Sequence, residues 1–405
     1  MRAAWNGCIS LARNPFFPYL RGAPEPTVRL HLQAPSPEEV SMKKTRMSLL
    51  MAGFVSIATG CQPELSPEAE LGTHEAALTG VGTWTPNAPM QNSVTMGTAT
   101  LLRVTGNVLL TQDGFGQLYN PYTNTWQLAG SFEWGRHGYT ATELPSGKVL
   151  VAGGRLGGAM RWVSSTWLYD ETTNTWTESG SANTPRYNHT TTRLDSGKVL
   201  MVGGIYYLGE QGNSELYDPD TGTWSTVSSS LVPHAAHTAT LLYSGKVLVA
   251  GGSGPNNGDI STAELYDPST NTWAPAGNMS QARKDHLAVR LYSGNVMILG
   301  NGSSSDNSVE LYDPYNNQWV AGPALPIPGP YFSATMLYSG EVLVTNGSGQ
   351  AAVYNPSANA WLLTVPMNQA RSNHDAVLLH TGQVLVTSGY NSTNGSLTSI
   401  ERFTR

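Results

Sequence analysis

Cysteine, charge and basic runs are all scarce in this chain. Of its 405 residues only Cys8 and Cys61 are cysteines. The part from residue 81 onward therefore has no disulfide, no thiolate ligand for zinc and no cysteine nucleophile. Charged residues make up only 12 % of the chain. Residues 1–60 hold seven of the 22 basic and three of the 28 acidic residues, which leaves 15 against 25 and a net charge of −10. No basic run occurs in that remainder, so a nucleic-acid partner is excluded. What the chain has in quantity is glycine, 43 residues of it, with abundant Thr, Ser and Asn. That balance suits a β-rich exported protein.

The first 80 residues differ from the rest. Residues 1–41 carry scattered prolines and arginines without a helix or strand period. Met42-Lys-Lys-Thr-Arg-Met then leads into the apolar stretch Met47–Ala58, too short to span a bilayer comfortably, and into Ala58-Thr-Gly-Cys61. This order resembles a bacterial lipoprotein signal sequence, with Ala58 where Leu is more usual. The resemblance implies cleavage before Cys61, lipidation of that cysteine and a protein anchored in the cell envelope or at the cell surface. Met42 is then the expected start, residues 1–41 a doubtful leader and 42–60 the signal peptide. Residues 61–80 read as a flexible tether, because Pro63, Pro67 and four glutamates leave too little apolar surface to fold.

From residue 81 the chain repeats itself. One unit reads His237-Thr-Ala-Thr-Leu-Leu-Tyr-Ser-Gly-Lys-Val-Leu-Val-Ala-Gly-Gly252, then a loop, then Glu264-Leu-Tyr-Asp-Pro-Ser-Thr-Asn-Thr-Trp273. Trp84, Trp126, Trp176, Trp224, Trp273, Trp319 and Trp361 mark the period, at spacings of 42, 50, 48, 49, 46 and 42 residues. A period of this length means a repeat architecture. Each unit predicts four short strands, in this one Thr238–Leu242, Lys246–Ala250, Ala263–Tyr266 and a strand around Trp273. The second is almost wholly apolar, as a strand covered on both faces should be. Ser-Gly and Asp-Pro turns join the strands, and the pairs Gly153-Gly154, Gly203-Gly204 and Gly251-Gly252 predict close approach of neighbouring backbones.

The glycine pair closing the second strand, with Tyr and Trp at fixed offsets, resembles kelch repeats, including the central domain of galactose oxidase. The resemblance covers residues 81–405 and implies an all-β propeller of four-stranded antiparallel blades. The outer units depart from it: Gln112-Asp-Gly, Gly300-Asn-Gly, Thr345-Asn-Gly and Thr387-Ser-Gly replace the glycine pair. The chain stops after a third strand, Ser399-Ile-Glu-Arg-Phe403, while the domain opens with a lone fourth strand, Val81-Gly-Thr-Trp84. Seven blades, the last completed by the N-terminal strand, leave no open sheet edge.

Strand alternation divides the loops between two faces. Short uniform turns lie on one; the connections between blades and the second-to-third-strand loops lie on the other. The variable face is the candidate site, because variable loops on a rigid scaffold are where binding resides. Around its mouth the units place Arg136 and Tyr139, Arg186 and His189, His234 and His237, Arg283 and His286, and Arg371 and His374. Two readings of this ring stand: a cationic pocket for a carboxylate, sulfate or sugar, or donors that satisfy carbonyls between blades. Trp134, Trp162, Tyr206, Tyr207 and Tyr390 fall outside the repeat and either stack on sugar rings or fold their own loops. Glu210, Asp259 and Asp306 are read as solvated loop charges. No metal site is expected, since each histidine comes from a different blade apart from His234 and His237.

Three functions remain open. The favoured one is a surface-tethered, non-enzymatic, monomeric propeller that binds a protein or glycan and needs no cofactor. An enzyme acting on an acidic sugar (isomerase, lyase or hydrolase) through the Arg/His ring is the second, and a structural envelope protein the third. The galactose oxidase resemblance would imply a copper radical site. That chemistry requires a cysteine joined to a tyrosine, which residues 81–405 do not contain.

Overall fold

The computed structural model describes residues 82–157, 161–207, 209–302, 306–330 and 333–405. Residues 1–80, which hold the expected leader, signal peptide and tether with Cys61, lie outside the described residues. Seven four-stranded antiparallel sheets account for most of the rest. In chain order their inner strands are Thr98–Leu101 (blade 1), Thr140–Glu143 (blade 2), Thr190–Arg193 (blade 3), Thr238–Leu241 (blade 4), Leu287–Arg290 (blade 5), Ser333–Met336 (blade 6) and Asp375–Leu378 (blade 7). Each inner strand packs beside the next, and that of blade 7 returns to that of blade 1, so the sheets form a closed ring.

Blade 7 takes its outer strand from the other end of the chain. Thr83–Asn87 pairs with Ile400–Thr404, setting Trp84 opposite Phe403, as the sequence predicts. The second strands, such as Val247–Ala250 and Val296–Leu299, are buried along their whole length. Their side chains feed seven separate apolar clusters, one at each interface between adjacent blades. At roughly 1.5–3 kcal/mol for each buried Val, Leu or Ile side chain, these interfaces hold the ring together.

The repeat residues serve those interfaces. In blade 4 the Tyr266 and Trp273 rings lie 5.1 Å apart at 46°. The indole of Trp273 donates to the Ser228 carbonyl of the preceding blade at 2.8 Å, and Trp319 donates likewise to Ala276 at 2.8 Å. The Asp-Pro turn depends on its asparagine: Asn271 has φ 53°, and its Oδ1 accepts from the Tyr266 hydroxyl at 3.1 Å. Blade 3 has Gly222 at this place, and there the Tyr217 hydroxyl meets Ser179 Oγ at 2.8 Å instead.

The glycine pairs also have a clear cause. Gly203 and Gly204 have φ of 64° and 96°. A Cβ on Gly203 would lie 2.1 Å from the His234 carbonyl oxygen. Gly204 donates its N–H to that same oxygen at 2.7 Å, and Gly252 to the Arg283 oxygen at 2.8 Å. Each pair is thus the seam between one blade and the entry to the next.

Candidate functional site

The residues predicted to ring the mouth do assemble there, but they face inward. Arg136, Arg186, Arg283 and Arg371 are all 0 % exposed. Arg186 Nη1 donates to the carbonyls of Gly203 at 2.9 Å and Asn213 at 2.8 Å, while Nη2 meets Glu215 at 2.8 Å. Arg283 reaches Gly300 O at 3.1 Å and Glu310 at 2.7 Å; Arg371 reaches Ser388 O at 3.1 Å and Glu401 at 3.2 Å. In blade 4 a histidine fills the same place: His234 Nδ1 lies 2.7 Å from Gly251 O, and Nε2 lies 3.2 Å from Glu264. Arg136, whose third strand has Trp167 in place of the glutamate, recruits Glu133 at 3.2 Å. Burial pulls the guanidinium pKa down in each of Arg136, Arg186 and Arg371, and the neighbouring glutamates oppose it.

The glutamates do a second job. Glu215 accepts the backbone N–H groups of Asn183 and Thr184 at 2.6 and 3.1 Å, and Glu264 those of Leu231 and Val232 at 2.7 and 2.8 Å. The third strands of blades 3 and 4 are thereby tied to the segments that enter them, and Glu310 and Glu401 do the same in blades 5 and 7. Sequence reasoning overlooked these acids, although the recurrent Glu-Leu-Tyr-Asp of blades 3, 4 and 5 displays them.

The histidines are inter-blade pins. His189 Nε2 is hydrogen-bonded to Thr140 Oγ1 at 3.1 Å, His237 to Thr190 at 2.8 Å and His286 to Thr238 at 2.9 Å, in each case across to the preceding blade. His374 meets Ser333 Oγ at 3.2 Å. Burial, helped by the adjacent arginines, lowers the pKa of His189 and of His286 to about 3. Burial also lowers that of His374 to about 4. Tyr139 holds the corresponding place in blade 2, its pKa raised by burial and its ring 5.6 Å from Phe132, edge to face. Of the two readings of the ring, the scaffold one describes the arginines: their guanidiniums bond to carbonyls and carboxylates within and between blades, because burying a guanidinium is tolerable only with a carboxylate and carbonyls around it.

What opens at this mouth is a depression of about 520 Å³, lined by parts of blades 1, 2, 3 and 7 and including Arg136, Tyr139 and His374 of the ring. On its wall His137 Nδ1 lies 2.9 Å from Asp113, and the Arg155 guanidinium sits 5.2 Å over the Tyr187 ring. A belt of backbone hydrogen bonds runs beside it: Asn188 N to Gly138 O, Ala236 N to Asn188 O, and Asp285 N to Ala236 O, at 3.2, 2.9 and 2.9 Å. These amides align because Gly138, Asn188, Ala236 and Asp285 all have φ between 49° and 62°.

The loop aromatics separate into groups. Trp162 is half-buried, its ring 6.0 Å from Tyr206 and 5.9 Å from Tyr207, which are 40 % and 65 % exposed. They stand on two small hairpins, Arg155–Leu156 with Arg161–Trp162 and Ile205–Tyr206 with Gly209–Glu210. Tyr390 lies apart on a third, paired with Ser396. Trp134 is 78 % exposed and stacks on Phe115 beside a groove of about 500 Å³. Glu210 accepts from Ser253, Asp259 pairs with Lys284 at 2.9 Å, and Asp306 caps the Ser308 amide. Among the described residues no three His, Cys, Asp or Glu side chains are placed to share a metal ion, and no helix is long and apolar enough to cross a membrane.

Residues 138–347, just over half of the chain, match the family model described as the KLHDC2/KLHL20/DRC7 Kelch-repeats domain. No curated protein matches the chain. Among solved structures, one similar to it is titled a novel fungal alcohol oxidase with catalytic diversity among the AA5 family, in complex with copper. That similarity has a TM-score of 0.64 at 16 % identity and covers 80 % of this chain and 76 % of that one. At that identity the likeness concerns the fold.

Proposed function

The chain belongs to the kelch-repeat family, and from that premise we propose that it is a binding module whose variable loop face takes a protein or glycan ligand. The observation that carries this reading is the 520 Å³ depression at the loop end, with Arg155, His137 and Tyr187 on its wall. The Trp162, Tyr206 and Tyr207 cluster stands on the adjoining hairpins. A depression with a few convergent polar groups beside exposed aromatic rings is the surface such a ligand requires.

The catalytic alternative rests on the ring arginines and histidines, whose guanidiniums and Nε2 atoms already bond within the scaffold. The copper of the fungal alcohol oxidase finds no matching donor set here. Cys8 and Cys61 both precede residue 81 in the sequence, and His189, His237, His286 and His374 are turned against threonine or serine hydroxyls.

Binding of the purified protein to arrays of glycans and envelope proteins tests the proposal, repeated with Arg155→Ala and Tyr206→Ala. A ligand lost in both variants, with melting temperature unchanged, supports it. A ligand retained in both removes the loop face from the account. We further propose export and lipid anchoring at Cys61. Membrane association that persists in Cys61→Ala would contradict this.

A further inference from the structure

We propose that the opposite end of the axial channel, at the Ser-Gly turns, binds an acidic oligosaccharide, with Arg193 and Arg290 taking its carboxylates and a tyrosine arc supporting its rings. A cavity of about 1000 Å³ opens at this end. Its wall is made by the last residue of successive inner strands. Five of these residues line it, the apolar Leu101 and Leu241 and, from blades 2, 3 and 5, Glu143, Arg193 and Arg290; the inner strands of blades 6 and 7 end on the apolar Met336 and Leu378. Departures from a repeat inside a cavity are not required by the scaffold, since the apolar blades close equally well.

The two arginines are held in the same way. Arg193 Nη1 donates to the Glu143 carbonyl at 3.1 Å, and Arg290 Nη1 donates to the Leu241 carbonyl, each reaching back across the preceding blade. One N–H fixes each guanidinium and its remaining N–H groups are available to a ligand. Arg193 has Glu143 at 3.8 Å. Among the described residues Arg290 has no carboxylate within 4.0 Å and instead lies 4.2 Å over the Tyr243 ring. A half-buried arginine without an acid, facing a cavity, calls for an anionic partner.

At this end blades 4, 5 and 6 share a tyrosine immediately before the Ser-Gly turn, and Tyr243 of the three meets Arg290 of the cavity wall. Tyr243, Tyr292 and Tyr338 are 56, 59 and 58 % exposed. Each ring rests against the turn glycine of the next blade: a Cβ on Gly294, Gly340 or Gly382 would lie 3.4, 3.1 or 3.6 Å from Cδ2 of the respective tyrosine. The arc is therefore fixed by packing, while each ring keeps solvent-exposed surface. Apolar ring surface beside fixed guanidiniums suits the C–H faces and carboxylates of uronic-acid units.

The test is calorimetric titration of the whole protein with oligogalacturonate and with its methyl ester, which has the same rings without the charge. The acid should bind at least about tenfold more tightly than the ester, and Arg290→Gln should weaken the acid by about tenfold. Arg290→Lys should recover part of the loss, and Tyr292→Ala should weaken acid and ester alike, with melting temperatures unchanged in all three. Failure of the acid to bind overturns the proposal, as does equal binding of acid and ester, or an Arg290→Gln variant that binds as the wild type does. Loss in Arg155→Ala rather than in Arg290→Gln would place the ligand at the loop end. Equal affinity for an acidic peptide of matched charge would overturn the sugar assignment.

Discussion

At the loop end of the channel the guanidiniums of Arg136, Arg186, Arg283 and Arg371 are fully buried, and each meets a carboxylate within 3.2 Å. At the Ser-Gly end those of Arg193 and Arg290 lie half-exposed across a neighbouring strand, and Arg290 meets no carboxylate among the described residues. The first set recurs with the repeat and closes seams between blades. The second breaks the repeat and faces a cavity. Recurrence in a propeller therefore marks the scaffold, and departure at a channel-lining position marks a place where a ligand has reason to sit.

Stability offers the strongest way to break this contrast. Glu215→Ala leaves Arg186 buried without its carboxylate and removes the acceptor of two backbone amides. It should cost about 3–5 kcal/mol. Arg290→Ala loses one carbonyl contact and a stack on Tyr243 in a half-exposed setting, and should cost less than about 1 kcal/mol. Urea denaturation measures both. Similar losses at the two ends would erase the distinction between scaffold and ligand arginines.

Acid acts mainly through the loop end. Burial holds the pKa of His189 and His286 at about 3 and that of His374 at about 4, against about 6.5 in an unfolded chain. Between those values the unfolded chain binds more protons. The stability these neutral histidines give is thus full above pH 6.5 and lost as pH falls, by up to about 1.4 kcal/mol per pH unit for each. Asp375 in the channel wall opposes this. Burial raises its pKa to about 6, so its contribution is full below about 4 and lost as pH rises through 6. Three histidines outweigh one half-buried carboxyl, so melting temperature should drop from pH 7.5 to 5. His286→Gln should flatten the drop and Arg290→Gln should leave it unaltered. A drop insensitive to His286→Gln would disconnect the loop-end pins from the pH response.

Much of this architecture is legible in the sequence because period and turn chemistry repeat. The four strands around Trp273 and the completion of Ile400–Thr404 by Thr83–Asn87 follow from spacing alone. Burial does not. Arg283 and Arg290 look alike in a sequence, and only the Glu310 carboxylate, 27 residues after Arg283, makes one of them a structural ion. The Tyr-Ser-Gly turns read as turn chemistry, which hid the tyrosine arc. The signal for the Ser-Gly cavity lay in the last residue of each inner strand, where Glu143, Arg193 and Arg290 interrupt an apolar column.

The Asp-Pro turns, on the same face as that cavity, test recurrence on a smaller scale. Asn317 has φ 53° and accepts from the Tyr312 hydroxyl at 2.9 Å. Asn317→Ala should cost about 1–2 kcal/mol, from left-handed backbone strain and the lost bond. Asn317→Gly should cost less, because glycine adopts that φ without strain and blade 3 already uses Gly222 there. Equal melting temperatures for the two variants would mean that backbone strain does not select this residue.

The smallest stability effects belong to the residues on which the two ends compete for ligand. Tyr206 on the loop hairpin and Tyr292 on the arc are 40 % and 59 % exposed. Neither hydroxyl bridges blades closely: Tyr292 Oη reaches Leu337 O only at 3.5 Å. Tyr206→Ala and Tyr292→Ala should each shift unfolding by no more than about 0.5 kcal/mol. A side chain that the scaffold can lose so cheaply, yet that is held in place by a neighbouring ring or glycine, is positioned for something outside the fold. A large loss of stability in Tyr292→Ala would return the arc to the scaffold and leave the loop face as the sole candidate.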